Sequence, residues 1–163
     1  MKDLEFPIFK TKIDSSKKFD LTDFKQRQAY FELKAGEEIK KLREYLKNKE
    51  YALTLHSGAN LTTSYVATDH VHLYFKSSNW EKDILDLRQN LDLKELVSGG
   101  NVHIVKPYYK NSVFFGIQSI NGFKVASNLQ LYLDLYNFKP RGIEHAEQLK
   151  KTLAEKGRNF YEF

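Results

Sequence analysis

The sequence predicts an α+β fold: a mostly antiparallel sheet, helices packed on it, and a two-helix motif near the C-terminus. Three observations carry that prediction. Val71-His72-Leu73-Tyr74-Phe75 is rich in strand formers and bounded by turn residues, whereas other segments repeat their apolar residues at helical spacing. Ile120-Asn121-Gly122-Phe123 sets Asn-Gly between apolar partners, the strongest short hairpin signal a sequence offers. Finally, the apolar stretch Asn128–Tyr136, the break Asn137-Phe138-Lys139, and a segment opening Pro140-Arg141-Gly142-Ile143-Glu144 read as two helices joined tightly.

Each element follows in order. Phe6-Pro7-Ile8-Phe9 is expected to be extended, because Pro7 biases the preceding residue away from helix. Asp14-Ser15-Ser16-Lys17-Lys18 reads as a loop. From Asp20, Leu21, Phe24, Gln28 or Ala29, and Phe31 fall on one helical face, with Asp20 or Thr22 as N-cap. Gly36 punctuates, and Glu37 to Lys49 forms an amphipathic helix with Ile39, Leu42, Tyr45 and Leu46 on its apolar stripe. Tyr51-Ala52-Leu53-Thr54-Leu55 is short and apolar, and a brief helix is expected from about Ser57 to Tyr65. The strand Val71–Phe75 follows, then a helix capped by Asn79 that carries Trp80, Ile84, Leu87 and Leu91 on one face. Gly99-Gly100-Asn101 turns the chain into the strand Val102–Val105, which Lys106-Pro107 ends. Val113–Ile117 is expected as the next strand, with Phe123-Lys124-Val125 as the return strand of the Asn-Gly hairpin. Ser127 caps the helix through Tyr136, Pro140 starts the last helix, and Gly157 closes it.

Composition narrows the function. The 163 residues contain no cysteine, which removes disulfides, cysteine-ligated metals and thiol catalysis and suits a cytoplasmic setting. No apolar run is long enough to cross a bilayer, and the N-terminus lacks the apolar core of a signal peptide. A net charge of +5 is compatible with an acidic partner but does not require one.

The candidate chemistry is sparse. His70 and His72 share a strand face, and Asp69 or His103 could join them around a metal, although alternation on a half-exposed strand yields the same pattern. No Gly-x-Ser-x-Gly nucleophile context occurs. Ser57-Gly58 resembles a fragment of a nucleotidyltransferase start, but the strand that should carry paired carboxylates has none. Glu38-Ile39-Lys40 matches the letters of a metal-dependent nuclease within a helix whose pattern already explains both charges. Phosphate loops and dinucleotide glycine fingerprints are absent, so neither an enzyme nor a cofactor is indicated. Residues 21–49 could be a helix-turn-helix, with Lys40, Lys41, Arg43 and Lys47 as nucleic-acid or partner contacts. That helix opens with Glu37 and Glu38, which would repel phosphates.

In the C-terminal motif, Asp134 lies inside a helix apolar over most of its circumference, so its carboxylate needs a partner. Arg141 is the expected one, as a bidentate clamp, with Gly142 allowing the second helix to start close against the first. Glu144 and Glu147 suit the start of that helix through its dipole.

Gln130-x-Tyr132-Leu133-Asp134-Leu135, followed by Arg141-Gly142-x-Glu144-x-Ala146-x-x-Leu149, resembles the C-terminal signature of AbiEi-type antitoxins of type IV toxin–antitoxin (abortive infection) systems. Tyr51-Ala52-Leu53-Thr54, the strand Val71–Phe75, and Asn101-Val102-x-Ile104-Val105-x-Pro107 fit the family's order, so the resemblance spans roughly residues 37 to 156. It implies a non-enzymatic antitoxin and transcriptional regulator that counters a nucleotidyltransferase-like toxin. It also implies operator binding through an N-terminal winged helix, which residues 1–36 are too few to complete. Those residues are read as a connecting segment and residues 37–163 as the antitoxin domain. A DNA-binding regulator using the helix at 37–49 is the alternative, and a metal-dependent nuclease-like enzyme the third reading.

Overall fold

The computed structural model describes residues 28–32, 37–68, 70–91, 94–96 and 102–160. Its strands are β1 (Gln28–Glu32), β2 (Tyr51–Thr54), β3 (Val71–Phe75), β4 (Lys94–Leu96), β5 (Val102–Val105), β6 (Gln118–Ile120) and β7 (Phe123–Val125). The helices are α1 (Glu37–Leu46), α2 (Leu55–Thr63), α3 (Trp80–Leu91), α4 (Lys110–Phe114), α5 (Asn128–Tyr136) and α6 (Gly142–Glu155).

The strands form one sheet in the order β4-β1-β5-β3-β2-β7-β6. The class is α+β, but the sheet is mixed rather than mostly antiparallel, because β3 pairs parallel with β5 and β2 parallel with β7. The connections account for this. The path from β3 to β5 includes α3, and a connection that long can return a strand parallel to its neighbour, which a tight hairpin cannot.

Two more expectations are overturned. Gln28–Glu32 were expected to continue a helix from Asp20, yet they form β1, held between β4 and β5; the proposed start of that helix, the Phe6–Phe9 segment and the loop at 14–18 lie outside the described residues. Val113 and Phe114, expected in a strand, end the short helix α4, because a brief apolar run fits a buried helical turn as well as a strand. In contrast, Asn121 and Gly122 both adopt positive φ (52° and 81°), as a primed hairpin turn between β6 and β7 requires.

Alternation along the central strands divides the sheet into two faces. Leu53, Leu73 and Ile104 are aligned across β2, β3 and β5. They join Leu42 and Leu46 of α1 and Leu87 and Leu91 of α3 in one buried apolar cluster. The adjoining register aligns Thr54, His72 and His103, whose side chains therefore project from the opposite face. This polar face meets the α5–α6 region. Leu55 makes the meeting possible: in the left-handed conformation (φ 54°), it turns the chain from β2 into α2 within one residue. Ser127 caps α5 by accepting from the Gln130 amide at 3.1 Å.

Candidate functional site

Asp134 occupies the centre of the polar face and is 2% exposed. Its Oδ2 accepts hydrogen bonds from Thr54 Oγ1 at 2.5 Å and Tyr74 Oη at 2.9 Å, and its Oδ1 accepts one from Gln130 Nε2 at 2.8 Å. Strand β2 supplies the first donor, β3 the second, and the preceding turn of α5 the third. Burial first, then the Asp134 charge, pushes the Tyr74 hydroxyl well above the usual tyrosine range, which keeps it a donor. These three donors are neutral, and the expected clamp with Arg141 does not form, since Arg141 pairs with Glu144.

Arg141 points outward instead. It holds the left-handed conformation (φ 62°) at the start of α6 and bonds bidentately to Glu144, Nη2 to Oε1 at 2.9 Å and Nε to Oε2 at 3.2 Å. Its guanidinium carbon lies 5.5 Å from the centre of the Tyr65 ring, and the Tyr65 hydroxyl donates to Glu144 Oε1 at 2.6 Å. Hydrogen bonds from Arg141, then Tyr65, lower the Glu144 carboxyl to about 2. The clamp failed for a geometric reason: α5 turns Asp134 inward, while the positive φ of Arg141 turns its side chain to solvent. Gly142 does allow close approach, since a Cβ there would run into the carbonyl oxygen of Leu135 and lie 3.1 Å from Phe138 Cβ. Tyr132 reaches from α5 to Glu147 of α6, its hydroxyl donating at 2.8 Å.

All five histidines of the chain are in ring contact along one track. His145, fully buried on α6, stacks on His56 of α2 with centroids 4.9 Å apart and Nδ1 atoms 2.7 Å apart. Phe138 meets His56 and His72 edge-on, at 5.4 Å in each case. His72 stacks on His103 at 4.3 Å, and His103 Nε2 lies 3.0 Å from His70 Nδ1. Burial lowers His72 to about 2 and His145 to about 4, and lowers His56 as well, so these three are neutral near pH 7. The structure thus brings together the His70, His72 and His103 of the sequence reading, with their rings stacked. Among the described residues no group of three or more His, Asp or Glu side chains could hold a metal. Asp69 lies outside the described residues.

The basic helix divides similarly. Arg43 bonds the Asn121 carbonyl through Nη1 at 3.4 Å, and its guanidinium lies 5.8 Å from the Phe123 ring centre, so it packs against the β6–β7 hairpin. Lys41 and Lys47 are exposed, and the side chains of Glu38 and Lys40 lie outside the described residues. Sequence reasoning missed Thr54 and Tyr74 as the donors to Asp134, and Tyr65 as the third member of the rim cluster. These contacts join residues at least 60 positions apart, a separation over which local spacing carries no signal.

A mixed sheet sealed on its polar face by a helix pair, with a buried carboxyl at the junction and a charged rim outside, defines a scaffold built around its C-terminal signature. The family model for AbiEi antitoxins, transcriptional regulators of type IV toxin–antitoxin systems, matches residues 16–154, and the chain belongs to that family. No curated protein and no solved structure matches it significantly. Among the described residues no helix is long and apolar enough to cross a membrane.

Proposed function

We propose that this chain is the non-enzymatic antitoxin of a type IV pair, acting in the cytoplasm against a nucleotidyltransferase-like toxin. The observation that carries the reading is the extent of the family match, which runs from residue 16 through the sheet and into the last turn of α6. A toxin partner is inherent in membership of such a system. Its chemistry is inferred from the resemblance of Gln130, Tyr132, Asp134, Arg141, Gly142 and Glu144 to the family signature.

Co-expression tests this directly. The gene adjoining this one in its genome, when it encodes a nucleotidyltransferase-like protein, should arrest growth of a bacterial host alone, and this chain should restore it. Continued arrest with the antitoxin abundant and soluble would refute the proposal.

The alternative is direct operator contact through α1, which the exposure of Lys41 and Lys47 favours. Under the leading reading the chain binds its own promoter DNA weakly and without selectivity. A tight, selective complex lost on Lys41→Gln and Lys47→Gln would establish the alternative instead.

A further inference from the structure

The hydrogen bonds around His56 and His145 fix their protons. The Pro140 carbonyl only accepts, so the His56 Nε2 facing it at 3.2 Å carries a hydrogen, and His56 Nδ1 is an acceptor. His145 Nδ1 must then donate to it across 2.7 Å, which leaves His145 Nε2 to accept from Thr63 Oγ1 at 2.7 Å. Every ring nitrogen has a partner while both rings are neutral.

A first added proton can be housed without movement. Placed on His145 Nε2, it makes that nitrogen a donor to Thr63 Oγ1, whose own hydrogen turns to the Ala59 carbonyl at 3.1 Å. A second has only His56 Nδ1 left, and that atom would then point its hydrogen at the hydrogen on His145 Nδ1, 2.7 Å away. Two facing donors at that distance cannot coexist, so the rings must part.

We propose that the His56–His145 pair is an acid-operated latch between α2 and the start of α6: it stores one proton in place, and a second releases the start of α6 from α2. The surroundings oppose charging from every side. His56 faces His145 of α6, Phe138 and Pro140 of the α5–α6 turn, and His72 of β3 beyond Phe138. His145 faces His56 and, at 5.7 Å between ring centres, Tyr65. Arg141 adds positive charge near both, and Glu144, the carboxylate among the described residues that acts on His145, is held outward by Arg141 and Tyr65. Burial is the largest influence on both rings and lowers both, leaving His145 at about 4. Once the segment opens, each imidazole returns to about 6.5 and takes up its proton. The latch is therefore fully closed above about pH 6.5; as pH falls below that, two protons enter per opening until, near pH 4, His145 already holds the first in the closed state and opening takes up only the second.

Native-state hydrogen exchange on the full chain, corrected for the intrinsic pH dependence, tests this. From pH 7.5 to 5.5 the opening constant of amides at the start of α6 should rise about a hundredfold, its slope approaching two protons only at the acid end. It should remain larger than the opening constant of β2 and β3 at each pH. The slope should fall to near one in His145→Gln, whose amide can still donate to His56 and accept from Thr63. Equal opening constants and slopes in helix and strands would mean simple acid unfolding and overturn the latch, as would an unchanged slope in His145→Gln. If that variant does not fold, Thr63→Val removes the hydroxyl that accepts from His145 Nε2 once the first proton is there. The imidazole of His145, followed by NMR, should then titrate at lower pH than in the parent chain. An unchanged titration would refute the storage of that proton.

Discussion

Asp134 and Arg141 belong to one sequence signature, yet they end in opposite environments. Asp134 is sealed against the sheet and held by Thr54, Tyr74 and Gln130, whereas Arg141 stands on the rim with Glu144 and Tyr65. The inner half joins three elements distant in sequence through neutral donors, so it fixes where α5 lies on β2 and β3. The outer half joins neighbours on one helix end and a loop tyrosine, in water, where ion pairs contribute little to stability. A shared signature therefore does not mean a shared task.

The sharpest way to break this contrast is Asp134→Ala. It would leave three donors at a buried site without their acceptor, and desolvated donors that lose their partners cost about 1–3 kcal/mol each, not fully additively. A loss of about 3–5 kcal/mol in urea unfolding is expected. Asp134→Asn should lose less, since its carbonyl oxygen can still accept from Thr54 and Tyr74. A near-neutral alanine variant would show that the inner half does not anchor α5.

Gly142→Ala comes next. The added methyl has backbone on one side and Phe138 on the other, so relief requires α6 to move off α5. Overpacking against atoms that cannot rotate away sits at the upper end of its usual range, about 3 kcal/mol. Gly157 supplies the control. It has φ 68° at the end of α6 with nothing near its missing Cβ, so Gly157→Ala pays only the left-handed conformation, about 1 kcal/mol. Equal losses at the two glycines in thermal unfolding would deny the close packing at Gly142.

The sequence made the elements of this fold more legible than their partners. The Asn-Gly hairpin, the capped helix after Ser127 and the glycine at 142 were all readable, because a turn type, a cap and a close approach each impose a local chemical requirement. The buried state of Asp134 was readable too, from its place in an apolar helix. Its partners were not. Arg141 was the nearest arginine along the chain, but which donors reach a buried carboxyl depends on strand register, and neither the register of β2 on β3 nor that of the parallel β3–β5 pair leaves a local mark. The same register aligns His72 with His103, while the continuation of the track through Phe138 to His56 and His145 depends on helix docking. The helix expected over residues 28–32 failed for a related reason: a short amphipathic run yields to the open edge of a strand that can pair with it.

The smallest stability effect should come from the rim, and it carries the most information about function. Arg141→Ala removes the guanidinium from exposed Glu144 and from the face of half-buried Tyr65, and should leave the unfolding midpoint unchanged within error. Glu144→Gln should do the same, although it frees Arg141 and returns the Tyr65 hydroxyl toward its ordinary range, because the bond to Glu144 is what raises it. A large loss of stability in either variant would erase the difference between the two halves. With stability intact, the growth-rescue assay measures what the rim contributes beyond folding. If the folded Arg141→Ala protein no longer protects cells while Asp134→Asn still does, the outer half faces the task of neutralisation and the inner half only holds it in place. If both variants protect equally, the signature is scaffold throughout, and the surface that opposes the toxin lies elsewhere on the molecule.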